Sequence, residues 1–146
     1  MEFPAHVGYN FTPTIHSDIY PAIDASKSDL TQPGKAVLIT GSGRGIGRSI
    51  ALHYAASNVA DIILCARTAS ELDETETAIN KINNKVKVHK FPLDVVNSSQ
   101  VATVASYVKK EIGKLDVLVN NAGTSSGCRY FFSYGKFSLR KREGVR

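Results

Sequence analysis

The chain has 146 residues, 42% of them hydrophobic, and a formal net charge of +5. That length suits one domain with a modest core, and no stretch approaches the roughly 20 apolar residues that cross a bilayer. The charge invites a nucleic-acid reading, but residues 1–123 carry twelve Lys/Arg and twelve Asp/Glu, leaving six basic residues (Arg129, Lys136, Arg140, Lys141, Arg142, Arg146) against Glu143 in residues 124–146.

The main body is therefore neutral, and the basic tail is short and without helical periodicity. Neither a nucleic-acid nor a membrane partner is expected. Cys65 and Cys128 have neither zinc-ligand nor redox spacing, so no metal site is expected, and free thiols fit a reducing compartment. No basic start followed by an apolar stretch marks a secretory signal. Glu2, Asp18, Asp24 and Asp29 against the single Lys27 disfavour a mitochondrial presequence. A cytoplasmic location is the expectation.

Residues 1–34 hold four of the five prolines and no apolar periodicity, which predicts an extended arm ending at the Pro33-Gly34 turn. From Lys35 a regular alternation begins. Ala36–Thr40 is the first predicted strand, and Ile46, Ile50, Tyr54 and Ala55 mark one face of a helix reaching about Ser57. Asp61–Ala66 is the second strand. Thr68 with Glu71 three residues on predicts a capping box, opening a helix whose inner face is Leu72, Ile79 and Ile82. A third strand lies within 85–93. Asn97 with Gln100 repeats the capping pattern before the stripe Val101, Val104, Ala105, Val108, Ile112. Val117–Val119 is the fourth strand. Residues 35–123 thus read as a partial α/β domain and 124–146 as an irregular basic, aromatic tail.

Strands alternating with amphipathic helices imply a parallel sheet covered on both faces. With right-handed crossovers, the expectation is an incomplete, doubly wound, Rossmann-like sheet in the order 3-2-1-4. Its ligand crevice would lie between strands one and four. Both walls of that crevice are in the sequence: the turn Gly41-Ser42-Gly43-Arg44-Gly45-Ile46-Gly47 after strand one, and Asn120-Asn121-Ala122-Gly123 after strand four. Glycines let a backbone turn tightly and approach a pyrophosphate, while the helix N-terminus faces it with N–H groups and a positive dipole end. The bland alternative is a tight strand–helix turn with no ligand.

On four motifs the chain resembles the short-chain dehydrogenase/reductase family. These are Thr40–Gly47, Ala66-Arg67, Leu93-Asp94-Val95, and Asn120–Gly123 behind the run Leu115–Val119. The resemblance spans about Lys35 to Gly123, and the segment Tyr20–Asp24 is similar to leaders on fungal members. It implies a nicotinamide dinucleotide as cofactor and, in full-length members, a small alcohol or carbonyl substrate. It also implies roles. Gly41 and Gly45 permit the turn, Gly47 lets the helix pack, and the amides around Ile46 meet the pyrophosphate. Asp94 accepts from the adenine amino group with the Val95 amide beside the ring. Asn120 and Ala122 line the adenosine side, and Asn121 ties strand four to neighbouring backbone.

An enzyme restricted to the unphosphorylated cofactor usually places an acid at the end of strand two, on the ribose 2′-hydroxyl. Ala66 stands there, followed by Arg67, with Arg44 in the glycine turn. Two guanidiniums and no carboxylate suit a 2′-phosphate, so NADP(H) is expected over NAD(H); the alternative is two solvated surface arginines. Family chemistry also needs a Tyr with a Lys four residues later and a Ser upstream. Four residues after Tyr9, Tyr20, Tyr54, Tyr107, Tyr130 and Tyr134 stand Pro13, Asp24, Asn58, Glu111, Tyr134 and Ser138. No catalytic residue is assigned. The change of composition after Gly123 predicts a truncated or mis-spliced product. Three readings stay open: an oxidoreductase by descent reduced to its cofactor-binding half, a non-catalytic nucleotide-binding or regulatory module, and a basic-tailed interaction protein or defunct product. Strand four would lack its next neighbour, so association through that edge is expected, as a homo-oligomer or with a full-length relative.

Overall fold

In a computed structural model, residues 18–123 of the chain are described. Four strands, β1 (Ala36–Thr40), β2 (Asp61–Ala66), β3 (Lys87–Pro92) and β4 (Val117–Val119), form one parallel sheet in the order β3-β2-β1-β4, as the sequence predicts. The helices are α1 (Gly45–Ala56), α2 (Ala69–Ile82) and α3 (Ser98–Tyr107), the last running on into a π-helical turn, Val108–Ile112. Gly113 closes that turn in the left-handed region at φ 85°. The predicted tail 124–146 and residues 1–17 of the arm lie outside the described residues. Residues 18–34 fold as successive turns with one 3-10 turn at Ser28–Leu30, and Gln32 N donates to Ser57 O at the end of α1.

Strand alternation divides the core into two layers. Val37, Ile39, Ile62 and Leu64 face α1 and α2, and Leu38, Ile63 and Cys65 face α3. A strand covered on both faces need not alternate with polar residues, which is why β1 and β2 read as unbroken apolar runs. Burial pushes the Cys65 thiol up to about 12, so this sulfur stays protonated and inert.

The helix faces match those predicted in part, at Ala55, Leu72, Ile79, Val104 and Val108. In α1 the buried residues are Gly47, Ala51 and Ala55, while Ile46 is 74% exposed. The predicted stripe followed the large side chains, yet the helix closes on the sheet through its smallest ones, four apart. In α2 the inner face is Leu72, Thr75 and Ile79, with Ile82 at the exposed end. Thr75 is tolerated there because its hydroxyl is hydrogen-bonded. In α3 Val104 is buried, followed by Val108 in the π turn, and Val101 and Ala105, though exposed, line an apolar groove beside them.

The two caps also part company. Asn97 Oδ1 accepts from Ser99 N and Gln100 N, and the Gln100 side chain reaches back to the Asp94 amide at 2.9 Å. Thr68, by contrast, makes no side-chain cap bond at α2, and Glu71 is turned elsewhere. At the opposite end of the sheet, Asp61 and Tyr107 hold the two ring nitrogens of His89 at 2.8 and 3.0 Å, pinning α3 to β2 and β3.

β4 pairs with β1 alone among the described residues. Leu118 is 53% exposed and lines an apolar groove of about 550 Å³ along the α3 side of the sheet. Such an edge is a template for further pairing. Leu118→Lys is expected to reduce self-association of the 146-residue chain, measured by light scattering. Unchanged particle size with a lowered unfolding midpoint would show instead that the edge is already covered.

A second expectation concerns Asp116. Its Oδ2 accepts from Ala36 N at 2.8 Å while its own N–H donates to Ala36 O, locking the start of β4 to β1. The Ala36 amide, and then Lys114, hold this carboxyl below its usual range. A depressed folded-state pKa contributes stability above the unfolded value, lost as pH falls through the folded value. Asp116→Asn should therefore lower the urea midpoint at neutral pH, with the gap from the parent closing below about pH 4. A gap independent of pH would contradict this.

Candidate functional site

All four predicted motifs come together at the C-terminal ends of the strands. The turn 41–47 leaves β1, Arg67 follows β2, Asp94 and Val95 follow β3, and Asn120–Gly123 follow β4. Because β1 lies between β2 and β4, the glycine turn is central and the other three flank it. Open parallel sheets bind ligands at this position, where the strand order reverses.

The glycines of this turn are demanded by space or backbone. Gly41 has φ 66°, and a Cβ on it would stand 3.0 Å from Ala122 Cα. A Cβ on Gly47 would collide with Gly41 O, so α1 can start this close to β1 only because Gly47 has none. Gly45 is demanded by backbone alone: it has φ 55°, and its missing Cβ would meet nothing within 4 Å. The space above it is open, and Arg44, the N-cap residue, places no side-chain acceptor on the first amides of α1. A free helix N-terminus beside an open glycine turn fits a phosphate group.

Hydrogen bonds fix this turn from three sides. Thr40 Oγ1 donates to Val119 O at 3.2 Å and accepts from Asn121 N and Ala122 N, each at 3.0 Å. Asn121 Nδ2 donates to Thr40 O and Gly41 O. This is the tie between strand four and neighbouring backbone that was expected of Asn121. From the other side, Arg48 Nε and Nη2 donate to Gly43 O at 2.9 and 2.5 Å, and Nη2 also pairs with Glu74 at 2.8 Å. Thr75 Oγ1 lies 3.1 Å from Ser42 O. Ser42 is fully buried, and its hydroxyl and N–H both donate to Cys65 O. Its side chain thus serves the fold, away from the crevice.

The remaining predicted residues lie at the crevice mouth. Arg44 is 79% exposed with Nε 3.7 Å from Glu71 Oε1. Arg67 is exposed after Ala66, and Ile46 and Gly123 are exposed as well. Asp94 Oδ1 accepts from Val96 N at 3.1 Å, which orients the carboxylate. Val95, Asn120 and Thr40 rim the upper end of the apolar groove, whose lower part runs down the sheet face away from the glycine turn. The sequence reading missed Arg48 and Thr75. Thr75 stands between Leu72 and Ile79 at helical spacing, a usable signal, whereas nothing in the spacing of Arg48 marks it.

Comparison with known proteins agrees with this geometry. The sequence pattern of the short chain dehydrogenase family matches residues 35–134. The short chain dehydrogenase mpl6 of Monascus purpureus is 39% identical over 128 residues, covering 84% of this chain and 42% of that protein. The chain thus spans about two fifths of the length of the curated relative it matches. Among solved structures, L-sorbose reductase from Gluconobacter frateurii, complexed with NADPH and L-sorbose, superposes with TM-score 0.63 at 34% identity, covering 73% of this chain and 40% of that one. NAD+-bound xylitol dehydrogenase superposes with TM-score 0.58 at 30% identity, covering 63% and 34%. With four motifs converging on one crevice and the family pattern running through them, the chain belongs to the short chain dehydrogenase family.

Proposed function

We propose that this chain binds the adenosine and pyrophosphate portions of a nicotinamide dinucleotide, NADP(H) in preference to NAD(H), as the cofactor-binding part of an oxidoreductase acting on a small alcohol or carbonyl. The observation that carries the reading is the uncapped start of α1 above Gly45, flanked by Arg44 and Arg67, with Ala66 where an acid would serve the unphosphorylated cofactor. The dinucleotide supplies the hydride when bound. The chain's own residues bind and orient it. Amides at 45–47 take the pyrophosphate, Asp94 and Val95 take the adenine, Asn120 and Ala122 line the adenosine, and the two guanidiniums take the 2′-phosphate. The NADPH complex of the sorbose reductase supports this preference and the NAD+ complex of the xylitol dehydrogenase weighs against it.

A second reading, a non-catalytic nucleotide-binding module, is favoured by one sequence fact: none of the six tyrosines has Lys four residues later. Cofactor binding without turnover by the 146-residue chain supports it, and turnover refutes it. The edge of β4, open among the described residues, would take a second copy or a longer relative. The buried free thiol of Cys65 supports a reducing, cytoplasmic location, and among the described residues no helix is long and apolar enough to cross a membrane.

Two measurements test the cofactor reading. Losing a charge-assisted contact to phosphate costs on the order of 1.5–3 kcal/mol, so Arg67→Asp should reverse the preference toward the cofactor lacking the 2′-phosphate. Calorimetric titration with both cofactors checks this, and unchanged discrimination removes Arg67 from the site. Adenosine 2′,5′-bisphosphate should also compete nearly as well as the intact dinucleotide for the 146-residue chain. Much tighter binding of the dinucleotide would place nicotinamide contacts within it.

A further inference from the structure

Glu71 belongs to the first turn of α2, three residues beyond an N-cap that makes no side-chain bond. Its carboxylate is not part of a capping box and, among the described residues, accepts no hydrogen bond. Its one ionic partner there is Arg44, with Nε 3.7 Å from Oε1, and the side chain is one-third exposed. Where it lies is informative. A Cβ on Gly43 would stand 2.7 Å from Glu71 Oε2 and 3.2 Å from the Ala66 methyl. The carboxylate and the end of β2 therefore converge on one point above the glycine turn. The neighbouring guanidinium, Arg48, is already held by Gly43 O and Glu74, which leaves Arg44 as the cation facing Glu71.

We propose that Glu71 is a specificity-determining residue, an internal carboxylate that occupies Arg44 until a 2′-phosphate displaces it. The proposal rests on the dinucleotide reading above and refines it. The acid that Ala66 does not supply from β2 is supplied by α2, one turn into the helix. Toward an unphosphorylated ribose it acts as acceptor for the 2′-hydroxyl. Toward a 2′-phosphate it acts as a like charge and a competitor for Arg44. An exposed ion pair of this kind is weak, so the phosphate can break it, at the expense of part of its own gain. The chain then discriminates between the two cofactors less than Arg44 and Arg67 alone would allow.

The test uses two probes that differ only in the 2′-phosphate, adenosine 2′,5′-bisphosphate and adenosine 5′-monophosphate. Both are titrated calorimetrically into the full 146-residue chain and into Glu71→Gln, Arg44→Gln and the double variant. Thr75 and Arg48 engage the backbone carbonyl of Glu71, not its carboxylate, so Glu71→Gln keeps those bonds. Glu71→Gln should raise the bisphosphate-to-monophosphate affinity ratio roughly two- to fivefold, and by less when Arg44 is also changed. In parallel, the bisphosphate should raise the thermal midpoint of Glu71→Gln more than that of the parent. An unchanged ratio, an equal gain for both probes, or equal midpoint shifts overturns the assignment of Glu71. A parent chain indifferent to the 2′-phosphate would count against the NADP(H) reading alone, and a rise in Glu71→Gln would still support Glu71.

Discussion

The Thr40 hydroxyl is the contact on which the crevice depends. A hydroxyl offers one donor and two acceptor positions, and Thr40 uses all three: it gives its proton to Val119 O and receives the amides of Asn121 and Ala122. One side chain at the last position of β1 thereby sets the height at which the chain leaves β4. The close approach of Ala122 to Gly41 follows from that height, and Gly41 must be a glycine because of it. Replacing the hydroxyl would leave the Ala122 amide seeking a partner and Asn121 N with Val119 O alone, so its influence exceeds that of a single bond.

The opposite flank of the turn is built differently. There the ties come from helices: Arg48 on α1 reaches the carbonyl at 43, and Thr75 on α2 reaches those at 42 and 43. The result is a glycine segment, intrinsically loose, with the carbonyls at 42 and 43 held from the α1 and α2 side and the Ser42 amide held by Cys65 O. Electrostatics follow the same division. Arg48 is neutralised by Glu74 beneath the turn, and Arg44 and Arg67 stand at the mouth.

The strands, their order and the gathering of four motifs were legible from residue patterns. Apolar runs of strand length separated by helical stripes leave few topologies once crossovers must be right-handed. Helix faces were less legible, and α1 shows why. Periodicity weighs large side chains, yet Gly47, Ala51 and Ala55 form the buried face because the helix must approach β1 closely enough for its N-terminus to meet the turn. The pattern at Thr68 and Glu71 misled for a related reason. The spacing of a capping box is local, whereas Arg44 and Gly43 draw Glu71 from a segment more than twenty residues earlier. Arg48 carried no signal at all, since a long cationic side chain on a helix reads as solvated until its carbonyl partner is placed.

The two core layers have a consequence for how the molecule opens. The β1–α1–β2–α2 unit shares one apolar cluster and the Arg48–Thr75 ties, whereas α3 rests on the other sheet face through few buried side chains, Val104 and Val108 foremost. Local unfolding follows such seams. Detachment of α3 would disturb Asp94 and Val95, whose amide and flanking loop it anchors through Gln100, while the glycine turn kept its shape. The crevice thus has one wall tied into the larger core layer and one held through α3 by fewer buried side chains. Amide exchange after β3 is set to be faster than exchange at Gly41–Gly47.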